Sequence, residues 1–562
     1  RTARREVKMC APMTTTMTTR TRAGRRRWTT TTTRTVISLV ALLVGVASTA
    51  RGDDDVDDAD SRQSSLLNLR GVSTTRDALR ARVTTRKLDL DRFRVDGDDL
   101  TPSTYGARSG YFALNSTEDA HLFYTFFERR RGKRSNDAGD DPIIVWLTGG
   151  PGCASELASL YENGPYALTK TANGKVGLTS RASAWSDAGH LLYVDSPVNT
   201  GFSYSSSTRD VAKSERVVAR DLLEFLWAFL LRHPELADAE VFITGESYAG
   251  HYVPAFARAV FDANDRDDSP VRVNFKGLAV GNGLTDPEMQ YGAYADYALG
   301  NDVVSAEAAR KARKMFQTDC KKKIAACAKG DEESARNRAV CLKAVDNCMT
   351  IPDTLLEDAA SRNDGKPINV YDIRKTCDSA LCYDFSAAEE WLNRADVQKA
   401  LGVKKKWQMC DEGVHSNLMG DWMHDFEPVI PAMLEAGIRV MIYAGEKDFI
   451  CNALGNLRWV KAMQWSGQDA FNKAKPEPFV VARDGEEEVI GGDVREAGQL
   501  SFVAVSEAGH MVPMDQPKNA LTMIRRFVNG EPIARGAEPE PTETRRFASP
   551  RRAADALKVA IY

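Results

Sequence analysis

A serine set in Gly245-Glu246-Ser247-Tyr248-Ala249-Gly250 is the first group in this chain equipped for covalent chemistry. Small residues around a serine let the backbone turn sharply and lift the hydroxyl above a sheet, provided a strand precedes it and a helix follows. The fifth-position glycine of the usual turn is Ala249 here, with Gly250 next, so the short pattern is a near match. A neutral hydroxyl is a weak nucleophile. It needs an imidazole base, and the imidazole needs a carboxylate to fix its tautomer. Four histidines follow Ser247: His251, His415, His424 and His510. His510 lies in Ala508-Gly509-His510-Met511-Val512-Pro513, just after a strand-like run at 500–505. Asp448 lies in Ala444-Gly445-Glu446-Lys447-Asp448-Phe449, just after another at 440–443. Ser247, Asp448, His510 is an order suited to nucleophilic acyl transfer. His251, directly after the serine turn, reads as a packed helix residue. The glycine run Trp146-Leu147-Thr148-Gly149-Gly150-Pro151-Gly152-Cys153 offers amides for one half of an oxyanion hole, and Tyr248, after the nucleophile, supplies the other. A phosphate loop is the alternative for such a run, but no Lys-Ser/Thr pair follows it.

These residues need a rigid frame. Residues 123–127 read as a strand, 143–147 as a continuous apolar run for a buried strand, and 191–194, 241–244, 277–281 and 440–443 as further buried strands. Helical patterns at 217–231 and 255–261 fall between them. Strands alternating with helices predict an α/β fold: a mostly parallel central sheet with helices on both faces. From 286 to 395 the chain becomes Lys-, Ala- and Cys-rich with short helices, which reads as a helical cap inserted between two core parts, 101–285 and 396–530. Residues 531–562 turn Pro- and Glu-rich and then basic, as a disordered tail does.

Composition narrows the classes. With 43% apolar and 27% charged residues, disordered and collagen-like chains are excluded. Residues 1–50 hold ten Lys or Arg against one acid, Glu6, whereas the remainder holds 65 basic and 77 acidic residues. An acidic body argues against nucleic acid as partner. The leader, 1–50, places an apolar run at 36–47 before Ser48-Thr49-Ala50, the layout of a cleaved secretory signal, and the run is too short to span a bilayer. An organelle transit peptide is the competing reading. Residues 51–100, beginning with Asp53-Asp54-Asp55, are charged and aromatic-poor, as in a propeptide or solvated segment.

Nine cysteines lie beyond the leader, so an oxidising compartment implies disulfides plus one free thiol. Equal outer gaps in Cys320, Cys327, Cys341 and Cys348 suit a nested helical hairpin, Cys320–Cys348 outside Cys327–Cys341. Cys377–Cys382 would close a tight loop. Zinc is the competing reading of the cluster, although none of the seven histidines is interleaved with it. No cofactor or metal is expected. Asn115-Ser116-Thr117 is a glycosylation sequon.

From about Ser109 to Gly530 the chain resembles a serine carboxypeptidase of the carboxypeptidase Y and cathepsin A family. The resemblance rests on the motifs above together with Asp195-Ser196-Pro197-Val198-Asn199-Thr200-Gly201-Phe202-Ser203-Tyr204-Ser205, Gly281-Asn282-Gly283-Leu284-Thr285-Asp286-Pro287 and Tyr371-Asp372-Ile373-Arg374-Lys375. It implies an α/β-hydrolase fold, Ser247 as nucleophile, His510 as base, Asp448 as its orienter, and Gly150 and Tyr248 as oxyanion donors. It further implies that Trp146, Thr148, Gly149, Glu162 and Glu246 hold a peptide's terminal carboxylate, that Cys153 pairs with Cys410, and that Cys451 is the free thiol. The substrate would be peptide or protein C-termini, cleaved at acidic pH in a vacuole, a lysosome or outside the cell, by a monomer or homodimer. Thr148 stands where these peptidases carry asparagine. The same threonine occurs in related acyltransferases that use acyl-glucose donors, and Glu246 argues for the peptidase. A non-catalytic stabilising partner of lysosomal enzymes is the third reading.

Overall fold

The computed structural model describes residues 75–534 apart from 96–105, 116, 131–140, 331–333, 378, 380 and 484–485. The leader, most of the 51–100 segment and residues 535–562 lie outside the described residues.

Fifteen strands are formed by the described residues: β1 (Arg86–Leu88), β2 (Ala107–Ala113), β3 (His121–Phe127), β4 (Ile143–Thr148), β5 (Tyr166–Lys170), β6 (Val176–Ser180), β7 (His190–Val194), β8 (Val241–Glu246), β9 (Phe275–Gly281), β10 (Ile368–Asn369), β11 (Asp372–Thr376), β12 (Arg439–Gly445), β13 (Glu477–Arg483), β14 (Glu486–Ala497) and β15 (Leu500–Val505). Eleven make one sheet in the order β1-β2-β3-β7-β4-β8-β9-β12-β15-β14-β13. The six central strands, β7 to β15 in that order, run parallel, and antiparallel strands close both edges. β4, β7 and β8 are apolar without alternation because helices cover both faces. On one face lie Glu215–Arg232 and Ala249–Asn264, and on the other Pro517–Asn529, each in its own apolar cluster. This is an α/β-hydrolase fold. The catalytic candidates leave the sheet at the carboxyl ends of β4, β8, β12 and β15.

Three boundaries differ from the sequence reading. Residues 75–95, placed in a propeptide or solvated segment, form the helix Arg76–Ala81 and edge strand β1, and bury Leu79, Val83, Leu88, Leu90 and Phe93. Their apolar residues are too few per turn to stand out among the charges, but β2 supplies a partner edge. The cap is not made only of short helices: Ala335–Arg362 runs 28 residues, straight through Pro352. Ser386–Leu392, assigned to the cap, packs through Trp391 and Leu392 into the core cluster beneath the sheet. Residues 531–534, assigned to the tail, are held by the Arg526 guanidinium on the Ile533 carbonyl at 2.8 Å, with Ile533 buried.

No helix among the described residues is long and apolar enough to cross a membrane. If residues 75–95 belong to the folded body, Leu79→Ala, at a fully buried site, should destabilise the whole domain by about 2–5 kcal/mol in denaturant unfolding. An unchanged midpoint would detach this segment from the body.

Candidate active site

β8 ends at Glu246 and a helix begins at Ala249, leaving two residues for the turn. Ser247 takes φ +67°, the left-handed region that a side chain adopts only when its surroundings enforce it. They do so by close approach. A Cβ on Gly245 would meet the Leu147 carbonyl at 2.5 Å, and one on Gly250 the Leu284 carbonyl at 2.4 Å. The glycine demanded after the serine is therefore Gly250, and Ala249 is tolerated.

Asp448 is fully buried and accepts four hydrogen bonds: from the Asn282 amide at 2.8 Å, the backbone N–H groups of Ile450 at 3.1 Å and Cys451 at 3.2 Å, and His510 Nδ1–H at 2.8 Å. With Nδ1 engaged as donor, Nε2 of His510 is left as the basic nitrogen. The ring is further held by its own amide, which donates to the Tyr371 carbonyl at 2.8 Å, and by the Tyr371 ring at 5.1 Å. Asn282 was not singled out from sequence. Its place between two glycines at the end of the strand-like run 277–281 was the available signal, and the structure gives it φ +40°.

Ser247 and His510 open on one cavity of about 130 Å³, also walled by Thr148, Gly149, Gly150, Glu162, Glu246 and Tyr248. Among the described residues, the amides of Gly150 and Tyr248 have no intramolecular acceptor, as oxyanion donors require. The glycine loop is pinned by Cys153–Cys410, by Ala154 N–H on the Met409 carbonyl at 2.8 Å, and by Asp411 N–H on the Gly152 carbonyl at 2.9 Å. The other expected pairs, Cys320–Cys348, Cys327–Cys341 and Cys377–Cys382, are also joined, and Cys451 is a buried free thiol in the cavity wall. The fold brings a histidine to the cysteine cluster that sequence distance hid: His424 Nε2 lies 3.2 Å from Cys341 Sγ.

Glu162 and Glu246 are 1% and 3% exposed and touch each other. Burial pushes Glu162 up to about 7. It pushes Glu246 well above the usual carboxylate range, with the neighbouring charge of Glu162 adding to the effect. Two carboxylates have acceptors only, so the contact requires a proton between them.

Trp146 is the one carboxylate-binding candidate that the structure removes from the cavity wall. It is 1% exposed against Trp185, and its indole N–H donates to Thr148 Oγ1 at 3.0 Å. That bond occupies an acceptor position on Thr148 and leaves the hydroxyl proton for the cavity. Tryptophan acts here through threonine, which spacing could not reveal. His251 is buried between the carbonyls of Leu284 at 2.6 Å and Asp421 at 3.2 Å. Burial lowers it to about 4, so it is structural. Asn115 lies at a turn two residues after β2 and is partly exposed.

A serine turn and an Asp-His pair at the carboxyl ends of parallel strands, beside two touching buried carboxyls, define the class as a serine hydrolase. The serine carboxypeptidase family model matches residues 100–530, and the chain belongs to that family. It is 42% identical to serine carboxypeptidase 3 of Hordeum vulgare over 445 residues, 79% of this chain and 82% of the relative. It is 36% identical to carboxypeptidase Y homolog A of Neurospora crassa over 465 residues, covering 79% and 76%. Kex1Δp, a prohormone-processing carboxypeptidase of Saccharomyces cerevisiae, shares the fold at TM-score 0.68 with 24% identity, covering 79% of this chain and 95% of that one. The protein is a serine-type carboxypeptidase.

A Cβ on Gly149 would lie 2.3 Å from the Tyr248 amide nitrogen and 2.7 Å from the Glu246 carbonyl. Gly149→Ala should therefore part the two oxyanion amides and lower kcat by about 10²–10³-fold with an unchanged circular dichroism spectrum. Full activity would separate this loop from catalysis.

Proposed function

We propose that Ser247 releases C-terminal amino acids through an acyl-enzyme. Its Oγ attacks the carbonyl carbon of the last peptide bond while His510 Nε2 takes the hydroxyl proton. Asp448 holds the imidazole in the required tautomer and balances the imidazolium. The oxyanion accepts hydrogen bonds from Gly150 and Tyr248. The tetrahedral intermediate collapses as His510 passes its proton to the departing amine. Water, deprotonated by the same imidazole, then attacks the acyl carbon, and the imidazolium returns that proton to Ser247 Oγ as the ester bond breaks.

The observation that carries the exopeptidase reading is the Glu162–Glu246 pair on the same cavity as Ser247. While both carboxyls are protonated, one proton bridges the pair and the second is donated to the substrate's terminal carboxylate, together with the Thr148 hydroxyl and the Gly149 amide. Once Glu162 loses the second proton, one negative charge faces that carboxylate where a donor had been. This favours work at acidic pH, in agreement with Glu162 titrating near 7. Four disulfides and the leader's layout support a secretory route to a vacuole, a lysosome or the exterior, with Asn115 glycosylated on the way.

Two assays test this. Amino-acid release from an N-blocked dipeptide should be strongest in acid and fall by about 10⁴-fold or more in Ser247→Ala. Turnover of an acyl-glucose donor with no peptide release would make the protein an acyltransferase instead. KM should stay level below about pH 7 and rise up to about tenfold per pH unit above it, the signature of one lost proton. Glu162→Gln, which donates a hydrogen bond without titrating, should flatten that rise; an unaltered rise would reject the shared-proton account.

A further inference from the structure

A second pair of carboxyl groups is buried where the reaction does not use it. Glu156, opening the helix Glu156–Tyr161, is 3% exposed, and Asp195, just past β7, is 0% exposed. Both side-chain oxygens of Glu156 are buried without an amide, hydroxyl or ammonium partner, and the charged group acting on them most strongly is Asp195. Asp195 is ringed by amides: Oδ1 accepts from Ser155 N–H at 2.9 Å and Oδ2 from Phe202 N–H at 2.7 Å. The 195–204 loop wraps it so closely that a Cβ on Gly201, at φ +48°, would come within 2.1 Å of Oδ2. Among the described residues neither carboxyl has an ion pair. Lys405, the cation facing them, directs its ammonium to the carbonyls of Asn199 and Ser203 at 2.6 Å each. Tyr111, whose hydroxyl donates to the Phe202 carbonyl at 3.2 Å, and the Trp407 indole are the other polar groups that face Glu156, neither within hydrogen-bond distance of it. An ionised Glu156 would meet Asp195 with acceptors only. A proton on Glu156, donated to the amide-stabilised Asp195, resolves the contact.

This pair sits at a junction. Ser155, whose amide rests on Asp195, donates its hydroxyl proton to the Val194 carbonyl at 2.7 Å and accepts the Thr148 amide at 3.2 Å. The helix that Glu156 opens ends on Glu162, whose amide donates to the Ala158 carbonyl. Thr148 and Glu162, both cavity walls, thus hang from the segment that Asp195 anchors.

We propose that Glu156 and Asp195 are positioning residues, their shared proton holding segment 153–162 against loop 195–204, so that losing it unseats Thr148 and Glu162 without any contact to substrate. Burial, then the charge of Asp195, raises Glu156 well above the usual carboxylate range. A carboxyl protonated in the folded state and ionised in the unfolded one stabilises fully below its ordinary value. That stability is lost as pH climbs toward the raised value. The consequence for activity rests on the reading of the site given above; the conformational consequence does not.

Glu156→Gln donates to Asp195 and cannot ionise. At one pH unit above neutral its half-life of activity should exceed that of the unaltered protein by at least about tenfold, the effect of one proton over one unit. A folded Glu156→Gln protein that inactivates at the original rate overturns the proposal. Deuterium exchange of the unaltered protein, which needs no variant and no turnover, is the second measurement. After correction for intrinsic base catalysis, segments 153–162 and 195–204 should open progressively above neutral pH while β12 stays protected. Exchange that rises uniformly, or in neither segment, also overturns it.

Discussion

A serine held in the left-handed region between β8 and the helix Ala249–Asn264 is the constraint on which the rest of this structure depends. A side chain there is strained by about 1–3 kcal/mol and persists only if its neighbours leave it no alternative. The Ser247 amide on the Gly281 carbonyl and the Leu284 amide on the Ser247 carbonyl fix it from one side. The glycine loop after β4 presses on it from the other, close enough that Gly149 has no room for a Cβ. Because β4, β8, β9 and β12 are parallel neighbours, these loops leave the sheet at one end. Ser247, the amides of Gly150 and Tyr248, and Asp448 on His510 share one origin in the sheet.

Around that turn the fold buries carboxyl groups in three ways. Asp448 is surrounded by four donors and aligns His510. Glu162 and Glu246 have no such cage and face each other, so burial and repulsion keep a proton between them. Glu156 and Asp195 combine the two, one acid solvated by amides and the other protonated against it. An isolated buried carboxylate would be far too costly, so each arrangement replaces water with donors or retains a proton. Their placement sets what each can do: orient a base, read a carboxylate, or brace the loop beneath the cavity.

Much of this was legible in the chain. The apolar runs of β4, β7, β8 and β12 announce buried parallel strands because a strand covered on both faces has no reason to alternate. The serine turn, Asp448 and His510 follow such runs at the spacing a sheet-end site needs. The nested cysteines follow from equal gaps on a hairpin. Residues 75–95 were misread because a six-residue helix and a three-residue edge strand carry too few apolar positions to outweigh their charges. Asn282 was given no role because its flanking glycines mark a turn but say nothing of the acid 166 residues later that it steadies.

By itself, then, the sequence determined the kind of sheet, the order of the reacting groups and the residue types available at its edge, since all three depend on local pattern. Only the tertiary structure decided which acids share a proton, that Trp146 works behind Thr148 rather than in the cavity, and that His424 meets Cys341. Those outcomes depend on distances of a few ångströms between segments far apart in the chain. Burial and direct contact set them, and a linear pattern encodes neither.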